Sequence, residues 1–518
     1  MSQDNLFSAL RAGFPADLDR IAFEAVDSPG EPLRYSWRDL ERGSAMMANL
    51  LASLDLPAAS RIAVQVDKSV EAVMLYLAVL RAGHVFLPLN TAYQESEIAY
   101  FIGNAEPAVV VCAPPQFVWI GKLAFRAGTR HVFTLGDARE GTLLERAALQ
   151  SDQQQPVRRG GHELAAILYT SGTTGRSKGA MLSHRNLLSN ARTLHAYWGW
   201  RRPEDGGDVL IHALPIFHVH GLFVALHGAL LAGATTLWLN KFEPRAVIAL
   251  LPRASVFMGV PTLYVRLLAE PALNRTACAS MRLFLCGSAP LRVETFDEWR
   301  QRSGHTIVER YGMSETVMLT SNPYHAADGT RRGGTVGRPL PAVQLRVRDD
   351  KGAPVHADEI GGIEVKGPNV FSGYWRMPEK TADDFTPDLW FKTGDVGRID
   401  ERGYVSIVGR SKDLVISGGY NVYPAEVEGC LNELPGVAES AVIGVPHPDF
   451  GEAVVAVVVP RTDAALDTDA MISALKVRIA NFKVPKRVFV EAELPRNTMG
   501  KVQKNLLRER HKALFSGG

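Results

Sequence analysis

The sequence predicts an α/β protein with a large N-terminal domain of parallel α/β sheets plus a β-rich subdomain. A small α+β C-terminal domain follows. Three observations predict it. Apolar runs of strand length alternate with amphipathic, helix-length segments through most of the chain. The texture turns to short strands and Gly-rich turns after about residue 340, and a further strand-and-helix unit begins near Ser411. The 518 residues also exceed what one core organises, so at least two domains are expected.

In chain order, RIAVQV (61–66) and AVVVCA (108–113) read as buried strands. Between them SVEAVMLYLAVLRAG (69–83) has helical spacing and ends on a Gly suited to a helix C-terminus. The polar stretch 150-QSDQQQPVRRGG-161 reads as an exposed connection. VLIHALP (209–215) and TTLWLN (235–240) repeat the strand pattern around the helix-like GLFVALHGALLAG (221–233). The segments VQLRVRDDKGAPV, GGIEVKGPNVFSGYW and GYVSIVGR place the β-rich subdomain at roughly 335–409. A boundary near 409-GRSKD-413 divides an N-terminal domain, 1–409, from a C-terminal domain, 410–518. The latter carries strands in ESAVIGVP, EAVVAVVVP and KRVFVEAELP, and helices in PAEVEGCLNEL and DAMISALKVRIANF.

Composition narrows the function. Apolar residues are 46% and charged residues 22%, with a net charge of +2, so no global charge argues for a nucleic-acid partner. Four scattered cysteines have no metal-ligand spacing and read as reduced thiols. No apolar run approaches the ~20 residues of a membrane span, and the N-terminus lacks a secretory core. A cytoplasmic protein with no membrane partner is expected.

The most chemically loaded stretch is 165-AAILYTSGTTGRSKGAMLSH-184. A Walker loop needs Gly directly before Lys and then Ser or Thr; here Ser177 precedes Lys178 and Gly179 follows. The physics of anion binding survives the mismatch. Gly172, Gly175 and Gly179 let backbone N–H groups approach an anion, Ser171, Thr173 and Thr174 add hydroxyls, and Lys178 adds a mobile charge. The loop is expected between a buried strand and a helix, with Ser183 as the cap of HRNLLSNARTL.

This loop resembles the signature of the adenylate-forming superfamily, which includes acyl-CoA synthetases, luciferases and peptide-synthetase adenylation domains. The similarity continues collinearly through 311-YGMSET-316, 361-GGIEVKGPNVFSGYW-375, 392-KTGDVG-397, 409-GRSKDLVISGGYNVYPAEVE-428 and 495-PRNTMGK-501. The resemblance implies a two-step reaction. A carboxylate attacks the α-phosphate of ATP, and a thiol, here CoA, then displaces AMP. Charge neutralisation on phosphate should dominate the first step.

The resemblance also implies roles. The loop with Thr170 and Lys178 grips the outer phosphates. Tyr311 stacks on adenine, Ser314 (in the usual Thr place) meets the α-phosphate, and Glu315 is the Mg²⁺ carboxylate. Gly287, Ser288, Ala289, Gly312 and Met313 complete the ATP site. Asp395 accepts the ribose hydroxyls, with Arg410 beside it, and Lys501 bridges carboxylate and α-phosphate. Lys412 matches the hinge of a rotating C-terminal domain, and Ser417, Gly418, Gly419 and Tyr420 face CoA. A lysine acetyltransferase acting on Lys501 is a further implied partner, because acetylation removes the charge.

The acid is read from 307-IVERYGMSET-316. Aryl-activating relatives usually carry Gly where this chain has Arg310, which shortens the acyl pocket and makes it cationic. A guanidinium suits a second carboxylate. With Arg266, Ser288 and His218 as further candidates, the set resembles malonyl-CoA synthetases and points to a small dicarboxylic acid. A medium-chain, long-chain or aryl ligase and a carrier-loading adenylation enzyme are the alternatives. An ion pair of Arg310 with Glu309, and a solvated Arg266, stay open at this point.

Overall fold

The alternating strands build two sheets in the first of two compact units, Met1–Gln344 with Lys366–Leu389. The computed structural model describes residues 5–27, 31–170, 177–417, 420–461, 464–497 and 500–515. One sheet has six strands in the order His131–Thr134, Val109–Cys112, Arg61–Gln65, Val85–Pro88, Leu164–Thr170 and Lys178–Ser183. The first five run parallel. The other has nine, from Arg338–Pro339 through Thr320–Ser321, Val308–Tyr311, Leu283–Cys286, Val256–Gly259, Val209–His212, Thr235–Trp238 and Ile21–Ala25 to Leu33–Ser36. Its middle is parallel and both rims are antiparallel.

The helix Val70–Arg81 is apolar but for Glu71 and Arg81 because all its residues are buried. Its Tyr76 ring packs edge-on against Phe86 of the six-stranded sheet, 4.9 Å between centroids. The Tyr76 hydroxyl bonds His227 Nε2 at 2.7 Å, on the helical segment that joins two strands of the other sheet. Ser69 caps the helix start, and Gly83 leaves the end at φ +72°.

Two expected elements differ from those observed. GLFVALHGALLAG is a π-helix over His220–Leu226 that tightens into an α-helix over His227–Ala232. The wider turn follows from Gly221, where a Cβ would lie 2.1 Å from Pro215 O. The loop of 171–176 is bounded by two antiparallel strands and does not lead straight into a helix. Lys178–Ser183 pairs with Leu164–Thr170, and Ser183 then caps His184–Tyr197 in a reciprocal capping box with Asn186. The cause is a third strand-like neighbour: Trp375 N–H donates to Gly179 O (2.8 Å) and Met181 N–H to Gly373 O (3.0 Å). Those bonds hold the segment after the loop extended.

The second unit is Leu345–Val365 with Trp390–Gly518. A four-stranded sheet, Gln344–Arg348, Gly361–Lys366, Phe391–Ile399 and Val405–Arg410, ends where a five-stranded one begins at Val415. The latter is built on the ladder of Val437–His447 with Gly451–Pro460. Both faces of that ladder are buried: Val442, Val454 and Val458 pack with Leu431 and Leu475, and Ile443, Val455 and Val457 with Leu507. Burial on two faces accounts for the unbroken apolar run EAVVAVVVP. Among the described residues no helix is long and apolar enough to cross a membrane.

Candidate active site

In open α/β sheets, ligands bind beyond the carboxyl ends of parallel strands. There the nine-stranded sheet gathers most of the candidates of the first unit. Leu283–Cys286 delivers Gly287, Ser288 and Ala289, and its parallel neighbour Val308–Tyr311 delivers Arg310 and Tyr311. Cys286 pairs with Glu309, so Arg310 lies beside Gly287. A Cβ on Gly287 would come 2.5 Å from Arg310 Nη1. Glycine is therefore required for the guanidinium to lie there.

Arg310 is 2% exposed, and none of its three guanidinium nitrogens has a hydrogen-bond partner among the described residues. Burial lowers its pKa to about 10, with Cys286 and Tyr264 opposing, so it stays charged at neutral pH. Glu309 does not neutralise it. Successive strand residues face opposite sides, and Glu309 accepts from Leu291 N–H at 3.2 Å. Burial pushes this carboxyl up to about 8. A buried, unpaired cation is costly unless an anion joins it.

Ser288 is held at φ +71°, a conformation L side chains rarely adopt. Its Oγ bonds His220 Nδ1 at 3.3 Å. His220 is fully buried at the start of the π-helix, and its N–H donates to His218 Nδ1 at 3.2 Å. Burial first, and Arg310 next, hold the His220 imidazole well below the usual histidine range. Arg310, Ser288, His220 and half-buried His218 thus form one cationic, hydrogen-bonding cluster. Arg266 is not part of it: this residue is exposed on the helix Pro261–Leu268, 4.8 Å over the Phe242 ring.

A second cluster in the same unit surrounds Glu315. Tyr311 ends its strand, and Leu319 N–H donates to its carbonyl at 2.9 Å. At Gly312 a Cβ would meet Val317 O at 1.9 Å, so the chain can turn only on glycine. Met313 O accepts from Thr316 N–H (3.1 Å), Ser314 is half-buried, and Glu315 is 5% exposed. Tyr374 OH donates to Glu315 Oε1 at 3.2 Å. Lys178 Nζ lies 4.3 Å over the Tyr374 ring and 3.6 Å from Asp384 Oδ2. Thr170 Oγ1 donates to Lys178 O at 3.4 Å across the ends of the two strands. Ser171, Gly172, Thr173, Thr174 and Gly175 lie outside the described residues. No group of three or more His, Cys, Asp or Glu converges among the described residues. A divalent cation at Glu315 would therefore complete its shell with phosphate oxygens and water, as Mg²⁺ commonly does.

The second unit gathers its own set. Asp395, 4% exposed, pairs with Arg410 Nε at 3.0 Å across the antiparallel ladder. Lys412 and Lys501 share this neighbourhood. Desolvation and then Arg410 lower Lys412 to about 8, and the same two causes lower Lys501. The Lys501 loop is braced: Lys501 N–H donates to Asn497 Oδ1 (2.9 Å), and Arg496 Nη1 donates to Gly500 O (2.6 Å). Ser417 is buried opposite Tyr420, whose exposed ring stacks 4.7 Å from Phe482. Gly418 and Gly419 lie outside the described residues.

His220, Tyr374 and Asp384 were not among the sequence candidates. The doublet in 215-PIFHVHGL-222 and the Tyr of 372-SGYW-375 were the available signals. Neither distinguishes a site residue from a packed one without the backbone path.

The AMP-binding enzyme family model matches residues 15–375, and that of the AMP-binding enzyme C-terminal domain matches residues 426–501. Among solved structures, ATP-bound MatB from Rhodopseudomonas palustris superposes with a TM-score of 0.95 at 51% identity, covering 99% of this chain and 100% of that one. A malonate–CoA ligase from Arabidopsis thaliana is 34% identical over 87% of this chain and 78% of its own length. A feruloyl-CoA synthase from an Amycolatopsis species is 35% identical over 94% and 95%. The similarity runs the length of both units, and the chain belongs to the AMP-binding enzyme family, as an ATP-dependent, AMP-forming acid–CoA ligase.

Proposed function

We propose that the acid is malonate or its methyl homologue and that the product is the corresponding malonyl-CoA thioester. One carboxylate oxygen bonds to the α-phosphorus of ATP as the bond to pyrophosphate breaks. The CoA sulfur then bonds to the acyl carbon, AMP leaves, and the thiol proton passes to solvent. Arg310 carries the reading of the acid. Relatives named for malonate and for ferulate are similar to this chain at 34% and 35% identity, so overall similarity does not select the acid. A charged guanidinium that is 2% exposed and has no hydrogen-bond partner among the described residues does select, because a neutral acid would leave it buried without an anion. Ser288, His220 and His218 supply hydrogen bonds around the same carboxylate.

The remaining roles rest on the family motifs. Lys178 and the 171–176 loop take the outer phosphates, Ser314 the α-phosphate, and Tyr311, Gly312, Met313, Gly287 and Ala289 the adenosine side. Asp395 and Arg410 take the ribose. Lys501 serves adenylation, Lys412 the hinge, and Ser417, Gly418, Gly419 and Tyr420 the CoA arm. Glu315 would hold Mg²⁺, which supplies charge neutralisation on the phosphates.

The test is turnover with ATP, Mg²⁺ and free CoA across malonate, methylmalonate, propionate, octanoate and ferulate. Malonate or methylmalonate should lead by at least about 10³-fold in kcat/KM, the order expected when a missing polar group leaves its partner buried. Arg310→Gly should lose malonate turnover and gain neutral acids. Unchanged malonate kinetics in that variant would reject the reading. So would a preference of the unaltered enzyme for octanoate or ferulate, or a requirement for a carrier protein.

A further inference from the structure

The groups assigned to triphosphate and to metal are joined by two residues that carry no assigned role, Tyr374 and Asp384. Tyr374 lies within the 361–375 motif, on the segment that packs beside the strand Lys178–Ser183, and Asp384 ends the helix Pro378–Asp384 that follows it. The isolated bridge between Ala180 and Tyr374 fixes that packing. Gly179 allows it, since a Cβ there would meet Ile167 Cγ2 at 2.9 Å and Trp375 Cβ at 3.3 Å. Tyr374 is 4% exposed, so its ring and hydroxyl have a fixed direction.

Each contact does a different job. The Tyr374 hydroxyl donates to Glu315 Oε1 at 3.2 Å, with the Asp384 carboxylate also close to it. The ring face carries the Lys178 ammonium at 4.3 Å, an arrangement favoured by the ring quadrupole. Asp384 stands 3.6 Å from that ammonium and is engaged more closely by Lys380, Nζ to Oδ1 at 2.6 Å. Lys380 and Lys178 thus share the Asp384 carboxylate. At 3.6 Å, longer than a hydrogen bond, Asp384 bears on the ammonium as a charge without taking one of its three donors.

We propose that Tyr374 and Asp384 are positioning residues for MgATP. Asp384 and the Tyr374 ring aim Lys178 at the outer phosphates, and the Tyr374 hydroxyl sets the Glu315 carboxylate for the metal. This rests on the reading that Lys178 holds triphosphate and Glu315 holds metal. Positioning of this kind acts on ATP binding and its Mg²⁺ dependence, and leaves the acid site alone.

The experiment measures ATP binding to the full chain by calorimetry, with EDTA and across a Mg²⁺ titration, for the unaltered protein, Tyr374→Phe and Asp384→Asn. Tyr374→Phe keeps the ring and removes the hydroxyl. It should leave metal-free ATP affinity within about twofold and raise the half-saturating Mg²⁺ concentration roughly fivefold, the order of one net hydrogen bond. Asp384→Asn should weaken metal-free ATP binding about three- to tenfold, the order of one partly buried ion pair, without moving the malonate KM. Lys178→Met and Glu315→Gln serve as references. If those two leave ATP and Mg²⁺ binding unchanged, the reading beneath the inference fails. If they weaken binding while Tyr374→Phe and Asp384→Asn match the unaltered protein, or lose only thermal stability, the inference alone is overturned.

Discussion

Glu309 and Arg310 are chain neighbours with opposite electrostatic fates. Arg310 faces the end of the sheet and stays charged, whereas Glu309 faces the core, where burial raises its pKa from 4.5 to about 8. Between those values the folded protein holds a proton that the unfolded chain has released, so stability falls as pH rises through that window. Glu309→Gln keeps the size and an acceptor for Leu291 N–H while removing the titration. Between pH 6 and pH 8.5 the unaltered protein should lose roughly 2 °C or more of Tm beyond what the Gln variant loses. Parallel Tm curves for the two proteins would show that Glu309 is not the titrating group. Leu291 closes the turn that carries Ser288, so this buried acid also supports one side of the acid site.

At the level of elements, the π-helix His220–Leu226 ties the fold to the site. Its wide first turn places His220 against Ser288, and Gly221 makes that turn possible through its contact with Pro215 O. Gly221→Ala should destabilise the protein by about 1–3 kcal/mol, the usual cost of overpacking, and raise the malonate KM more than the ATP KM. A stability loss with both KM values unchanged would separate the helix from specificity. The sequence exposed elements whose evidence is local. RIAVQV and AVVVCA are buried on both faces, and Ser69 and Gly83 bracket a helix that is apolar but for Glu71 and Arg81. Elements fixed by distant partners were hidden. Lys178–Ser183 is a strand because residues 372–375 lie beside it, and Ile21–Ala25 joins the nine-stranded sheet through pairs such as Phe23 with Thr236. Arg310 was legible because the resemblance places Gly where this chain carries a guanidinium, and that departure demands a reason. His220 was not, because a second histidine in FHVHG becomes informative only when the π-turn buries it.

Across the molecule the chemistry is divided between two compact units, each preorganised within itself. The first holds Arg310, Ser288, Lys178 and Glu315. The second gathers Arg410, Lys412 and Lys501 around Asp395 and Asp413, and this crowding of cations helps to lower both lysines. Such crowding is tolerable where an anion joins the cluster, as the α-phosphate and the attacking carboxylate would during adenylation. The role proposed for Lys501 in that step would draw on its braced loop, with Asn497 and Arg496 fixing the backbone on either side of the turn. The family motif assigns the lysine to adenylation alone, so the thioester step is expected to run without it. Lys501→Ala should therefore slow malonate-dependent pyrophosphate release by about 10²–10³-fold, the cost of removing one preorganised donor from a developing charge. Conversion of supplied malonyl-adenylate and CoA to thioester should stay within about twofold of the unaltered enzyme. Equal loss in both half-reactions would mean that Lys501 holds a structure common to them, and the division of labour between the units would have to be redrawn.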